Sequence, residues 1–259
     1  MTDRSTKLRE LAKVLGTLSD EQLAWLEGVI SQFRQKPLLW RNPSSTLVTQ
    51  CVLEMFGDAL QIHQCFSTEP LSKDRFEFAL ERVLVRCGIP AKLARKGNPG
   101  HDITIRREKF SLKTQADRLL KADRLHISKF MELGKGRWVT EQDLIALREQ
   151  FFRHMRSYDR ILQLRRLTDT ETLQEYELVE IPKELLLKAK AGTIRMMHDS
   201  KQNPKPGTCT VSEGGKVLFQ LYFDGGTERK LQIRRLDKQQ CVVHARWGIR
   251  RTPETTKGA

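Results

Sequence analysis

The sequence predicts a mixed α/β protein with a helical N-terminal region and a β-rich C-terminal segment. Three observations predict it. Apolar residues recur at helical spacing through the first hundred residues. From residue 102 the pattern changes to short β-like runs. Residues 201–259 then hold two strand-like runs around a glycine turn. A chain of 259 residues is long enough to bury a sizeable core, and a hydrophobic fraction of 39% excludes a disordered polymer.

Each element has its own signal. In SDEQLAWLEGVISQF, Ser19 stands at the N-cap, with acids in the first turn and apolar residues at helical spacing. STLVTQCVLEMFGDAL is a second helix, and SKDRFEFALERVLVRCG a third, capped by Ser72 and stopped at Gly88. DITI, FSLKT and RLHIS are short strands. TEQDLIALREQFFRHMRSYDRILQL reads as one long amphipathic helix starting at Thr140. QEYELVEIP is a strand, and KELLLKAKAG a helix ending at Gly192. SKQNPKPGT, residues 200 to 208, is a loop rich in Pro and Lys. KVLFQLYFDGGTERKLQIRRL is a hairpin about DGG, and CVVHARW a further strand. These signals divide the chain into a helical N-terminal region (1–70), a core that carries the site (71–200) and the β-rich segment (201–259). No internal repeat or low-complexity tract appears.

Charge narrows the function. Lys and Arg number 46 against 32 acids, for a net charge of +14 and a pI near 9.8. A polyanion is the partner this balance favours, because each neutralised phosphate releases condensed counterions. The five cysteines are scattered at 51, 65, 87, 209 and 241 with no C-x-x-C, so neither a zinc site nor a disulfide framework is expected. No run of about 18 apolar residues exists to span a membrane, and MTDRSTKLRE lacks an apolar core for a secretory signal. The expected location is the cytoplasm.

The chemistry centres on NPGHDITIRREKFSLKTQ, residues 98 to 115. If the turn of a hairpin is centred between Arg107 and Glu108, Ile103 faces Leu112 and Asp102 faces Lys113. Side chains alternate faces along a strand. Ile103, Ile105, Phe110 and Leu112 then enter a core, and Asp102, Thr104, Ser111 and Lys113 share the polar face. Directly opposed Cβ atoms lie about 4.5–5.5 Å apart. A carboxylate beside an ammonium suits a hard divalent cation and a phosphodiester: carboxylate oxygens hold the cation, and the lysine stabilises charge or positions water. An ordinary surface ion pair on a basic DNA-binding protein is the competing explanation.

PGHD and SLK resemble the signature of the PD-(D/E)-x-K nuclease superfamily, with Ser111 where the second acid is usual. The segments NPGHDITI, SKFMELGKG, LVEIPKELLLKAK, SKQNPKPG and LYFDGGTERKLQI together resemble the SmaI-type restriction endonucleases over about residues 70 to 247. The resemblance implies an α/β restriction-endonuclease-like fold, a mixed central β-sheet flanked by helices, and a Mg²⁺-dependent homodimer. It also implies cleavage of double-stranded DNA at the palindrome CCCGGG to blunt ends, and a cognate DNA methyltransferase in the same restriction-modification system. A nicking or repair endonuclease of the same superfamily is the alternative.

Asp102 and Lys113 are the first catalytic candidates. The missing acid has two: Glu77 on the helix before the motif, where superfamily members often aim an acid at the metal, and Glu132 after the third strand. Glu81, one turn beyond Glu77, is a weaker choice, Ser111 is a candidate holder of water, and Gln115 shares the polar face. His101, His126 and His244 are read as structural. Candidate DNA contacts are Lys135 and Arg137, Lys201 and Lys205 in the loop, and Arg229, Lys230, Arg234 and Arg235 on the tail hairpin, because Arg and Lys donate to guanine O6 and N7.

Overall fold

The computed structural model describes residues 3–250, apart from 96, 98, 99, 118, 119 and 171. Helices form where a capping side chain meets apolar spacing. α1 is Arg4–Leu15 and α2 is Asp20–Arg34. At the start of α2 the Ser19 hydroxyl accepts from the Gln22 amide at 3.3 Å, and the Gln22 side chain accepts from the Ser19 amide at 3.0 Å. α3 (Gln50–Phe66) is capped by Thr49 and α4 (Lys73–Arg86) by Ser72. Gly88 ends α4 with φ +74°, a conformation that costs a glycine little. α5 is Glu141–Met155, opened by a capping box between Thr140 and Asp143, and α6 is the short Lys183–Leu187.

Among the described residues the strands make two sheets. The larger contains β1 (Leu38–Arg41), β2 (Ala91–Leu93), β3 (Ile103–Ile105), β4 (Glu108–Gln115), β6 (Arg160–Asp169), β7 (Leu173–Ile181) and β12 (Val242–Arg250). Its order is β1-β12-β7-β6-β4-β3-β2, antiparallel except for the β4–β6 pair. The smaller contains β5 (Arg124–Glu132), β8 (Thr193–Met196), β9 (Gly207–Glu213), β10 (Lys216–Phe223) and β11 (Lys230–Asp237), in the order β5-β11-β10-β9-β8. One face of the larger sheet, with Phe110, Leu112, Leu162, Leu178 and Trp247, packs on α3 and α4. Its other face gives Ile161, Val179 and Ile181 to a second core shared with α5 and the smaller sheet. This is the mixed α/β architecture expected, with a helical start and a strand-rich end.

Two local expectations change. The long helix from Thr140 stops at Met155, and RILQL belongs to strand β6. β6 lies between β4 and β7, and Ile161, Leu162, Gln163, Leu164 and Arg165 are all buried. A strand covered on both faces shows no alternation, so its apolar run reads equally well as the end of a helix. The CVVHARW run is a strand as expected, β12, placed in the larger sheet between β1 and β7. Cys51 and Cys87 form a disulfide, contrary to the expectation of none. They lie 36 residues apart in sequence, and packing of α3 on α4 brings their Cα atoms to 5.8 Å.

α1 buries none of its residues, and its Leu8, Leu11 and Leu15 form an exposed stripe. Leu26, Ile30 and Phe33 repeat the pattern on α2, where Trp25 stacks on Phe66 at 5.5 Å between ring centroids. No helix among the described residues is long and apolar enough to cross a membrane.

A charged network sits at the centre of the larger sheet. Arg165 and Glu177 have no exposed side-chain area and form an ion pair between β6 and β7. Lys238 reaches Glu177 at 2.9 Å, and Arg246 on β12 at 3.5 Å. Removing one member of a buried pair leaves the other desolvated and uncompensated. Glu177→Ala is expected to lower the unfolding free energy by about 3–5 kcal/mol in urea titration. Glu213→Ala, which breaks an exposed pair with Lys188, should cost under about 1 kcal/mol. Equal losses in the two variants would show that the network contributes no more than a surface bridge.

Candidate active site

The motif hairpin closes tighter than its sequence suggests. Ile103 pairs with Phe110, Thr104 with Lys109 and Ile105 with Glu108, so the turn is the two residues Arg106 and Arg107. Arg106 takes φ +57°, and its amide donates to the Pro90 carbonyl at 2.6 Å. The pairing is shifted by two residues from the expected register. Asp102 therefore stands beside Ser111 and not Lys113; its amide donates to the Phe110 carbonyl at 2.9 Å. An even shift keeps every side chain on its predicted face, so Ile103, Ile105, Phe110 and Leu112 still enter the core. Pro99 of the PGHD signature lies outside the described residues.

Asp102 is fixed through both oxygens. Oδ2 accepts from the Leu112 amide at 2.6 Å and from the Ser111 hydroxyl at 3.4 Å. Oδ1 lies 2.8 Å from Nζ of Lys73. The same Nζ lies 3.1 Å from Oε1 of Glu77, one turn along α4. An ammonium is thus held between the two carboxylates. Burial works against the charge on Lys73, but Asp102 and then Glu77 outweigh it and its pKa rises. Burial raises the pKa of Glu77, an effect that Lys73 partly offsets.

Asp102, Ser111 and Lys113 line a cleft of about 720 Å³, together with Lys73, Glu132, Arg153 and His154. The Lys113 ammonium lies 5.5 Å from the centre of the Phe130 ring. Burial lowers its pKa to about 8; Asp102 and Glu77 resist the fall, and Lys73 adds to it. His154, packed edge-on against Phe130 and Tyr158, has its pKa lowered by burial and then by Lys113.

The acid candidates separate by environment. Glu77 is 19% exposed and joined to Asp102 through Lys73, whereas Glu132 is 70% exposed at the rim and pairs with Lys129 at 2.9 Å. Glu81 accepts from the Leu93 amide at 2.7 Å and so holds β2. Gln115 accepts from Arg165 at 3.1 Å rather than facing the cleft. His244 lies between Glu180 and Ser45, each at 2.8 Å, and His126 lies 3.3 Å from Gln232. Local pattern missed Lys73, although its i, i+4 spacing from Glu77 was a usable signal. Arg153 and His154 gave none, because only the packing of α5 brings them to the hairpin.

The basic candidates fall into two groups. Lys135, Arg137, Lys201 and Lys205 are exposed on loops that pack together. Trp138 donates to the Lys205 carbonyl at 2.7 Å, and Arg229 donates to the carbonyls of Lys135 and Gly136. Gly225 is needed in this packing, since a Cβ there would come within 1.8 Å of the Pro204 oxygen. Lys230 pairs with Glu228 at 2.8 Å. Arg234 and Arg235 instead line a second cleft, with Gln115 and His126.

No solved structure matches the chain. It is 41% identical over 244 residues to the type II restriction enzyme SmaI of Serratia marcescens, covering 92% of this chain and 95% of that enzyme. The family model for SmaI, described as a type II site-specific deoxyribonuclease, matches residues 11–249. With that extent of match around an acid-and-lysine cleft, the chain belongs to the SmaI family of type II site-specific deoxyribonucleases.

Proposed function

We propose that the protein is a Mg²⁺-dependent homodimer that cuts both strands of double-stranded DNA at the palindrome CCCGGG, leaving blunt ends. It would act in the cytoplasm, beside a DNA methyltransferase that protects the host's own sites. The observation that carries the chemistry is the cation position between Asp102 and Glu77, filled by the Lys73 ammonium and set in the cleft that Lys113 lines. The CCCGGG site follows from the sequence resemblance, supported by the 41% identity to SmaI.

The residues fit magnesium. It prefers oxygen donors and commonly uses one or two carboxylates, with water and phosphate completing its shell. Asp102 and Glu77 would hold it, with Lys73 moving aside. The chemistry such an ion supplies is polarisation of the scissile phosphate and acidification of water. Lys113 orients the water and takes its proton as the oxygen attacks phosphorus in line. The P–O3′ bond breaks, and the leaving 3′ oxygen takes a proton from solvent water, giving a 3′-hydroxyl and a 5′-phosphate. Ser111 holds Asp102 in place, and Arg153 lies where it can bind a phosphate in the cleft. Lys135, Arg137, Lys201 and Lys205 contact the DNA backbone along the packed loops.

A palindrome presents two equivalent half-sites, which a two-fold dimer matches. The exposed stripes of α1 and α2 support that arrangement, since a large unpartnered apolar face marks an interaction surface. A second copy is the occupant proposed for it.

Digesting a mapped plasmid with and without Mg²⁺, then sequencing the ends, tests the whole reading. Asp102→Ala is expected to abolish cleavage while specific binding persists, and Glu77→Gln to lose far more activity than Glu132→Gln. Asp102→Ala activity within tenfold of wild type, or a dead Glu132→Gln beside a near-normal Glu77→Gln, would reject this ligand set.

The lowered pKa of Lys113 fixes a sign for the pH dependence. Its amine accepts a proton only when neutral, so the single-turnover rate should rise with pH and level off near 8. Lys113→Arg stays charged and should lose both the inflection and most of the rate. An unbroken rise in wild type beyond pH 9 would assign the base to solvent hydroxide.

For the dimer, the double variant Leu11→Asp, Ile30→Asp should sediment as a monomer with unchanged circular dichroism, and should stop at open circles on a plasmid. A variant that remains dimeric would place the interface elsewhere.

A further inference from the structure

The polar face of the smaller sheet carries a second arrangement. On β10 and β11, alternation sends Leu221, Phe223, Leu231 and Ile233 into the core. Gln220, Tyr222, Gln232 and Arg234 take the other face, with Gln220 opposite Arg234 and Tyr222 opposite Gln232. The Arg234 guanidinium carbon lies 3.4 Å from the centre of the Tyr222 ring. Its Nε donates to Gln232 Oε1 at 2.9 Å. Gln232 in turn donates to Asp224 Oδ2 at 2.8 Å, and the other oxygen of Asp224 accepts from Gly226 and Gln202, each at 3.0 Å. A run of bonds from the glycine turn thus fixes the plane of one guanidinium. Its two terminal nitrogens make no hydrogen bond to a described residue.

That guanidinium lines the second cleft, with Gln115, Asp117, Lys121, Arg124, His126 and Arg235. The cleft adjoins the active one along β4. Lys113 lines the first and Gln115 the second, and two residues of strand span about 7 Å. That is about two base-pair steps of 3.4 Å. A planar fork with free terminal N–H groups, immobilised by stacking, matches guanine O6 and N7. Two of the other hairpin cations are engaged elsewhere, Arg229 by loop carbonyls and Lys230 by Glu228, and Arg235 lines the cleft without the ring stacking that Arg234 has among the described residues.

We propose that Arg234 reads a guanine of the half-site in the major groove through both terminal nitrogens, with Tyr222 and Gln232 as positioning residues. The inference rests on the proposed G·C-rich palindrome. Asp117, across the cleft, is an acceptor of the kind that recognises a cytosine amino group.

The test is equilibrium binding in Ca²⁺, without Mg²⁺, to a CCCGGG duplex, a scrambled duplex, and CCCGGG duplexes with 7-deazaguanine at each guanine in turn. Wild type should lose affinity at one guanine position on removal of N7. Arg234→Ala should weaken CCCGGG binding by about 5- to 150-fold, the span of one bidentate base contact. It should also become indifferent to 7-deazaguanine at that same position. Its affinity for the scrambled duplex should stay within twofold, which also reports a folded protein. Tyr222→Leu and Gln232→Ala should reproduce a smaller loss on CCCGGG alone. Equal weakening on both duplexes would make Arg234 a phosphate clamp, and retained sensitivity at every deazaguanine would remove it from base reading. A wild type with no preference for CCCGGG would overturn the assigned site instead; the same series on the site mapped from its digest then decides Arg234 separately.

Discussion

Arg165 lies where the chain passes from one sheet to the other, and the placement of both clefts depends on it. Its guanidinium pairs with Glu177 on β7 and bonds Gln115 at the end of β4. It also donates to the carbonyls of Lys121 and Arg124 at 2.7 and 2.8 Å, where the connection enters β5. A buried guanidinium has few acceptable surroundings, because every unpaired N–H is a desolvation cost. Satisfying it from β4, β7 and the start of β5 at once fixes how the chain leaves β4 in the larger sheet and enters β5 in the smaller one. The active cleft and the second cleft follow each other along β4 and β5.

Electrostatics then divides the labour within the active cleft. Asp102 is tied to backbone and hydroxyl donors, so its carboxylate does not wander. Lys73 supplies the compensating charge that two neighbouring carboxylates need, and it is mounted on the same helix as one of them. Among the described residues Lys113 has no such partner at bonding distance. Burial and the nearby Lys73 therefore depress it, while Asp102 and Glu77 resist, leaving an amine whose pKa is lowered to about 8. Two lysines that line one cleft thus differ in character: one is a counter-ion and the other a titrating group.

The C-terminal hairpin shows the same economy on a different surface. Its apolar face closes the second core, and its polar face presents an ordered row of side chains. Alternation alone assigns residues to these faces. Arg234 gains its distinct role from Tyr222 beside it and from Asp224 at the turn, which set its orientation before any ligand arrives.

What the sequence by itself determined was local or alternating. Ser19, Ser72 and Thr140 cap helices because a short polar side chain bonds an amide within one turn, so the signal is complete in four residues. The polar face shared by Asp102, Ser111 and Lys113 survived a two-residue error in register because faces repeat every two residues. The collinear segments pointed to the family before any fold was known. Only the tertiary structure decided the rest. β6 is hidden on both faces and had no alternation to read, so it looked like the end of α5. The Cys51–Cys87 bond, the position of β12, and the arrival of Arg153 and His154 at the cleft join residues far apart in the chain. Such meetings are set by how helices and sheets bury their apolar faces against one another, and no short stretch of sequence contains that information.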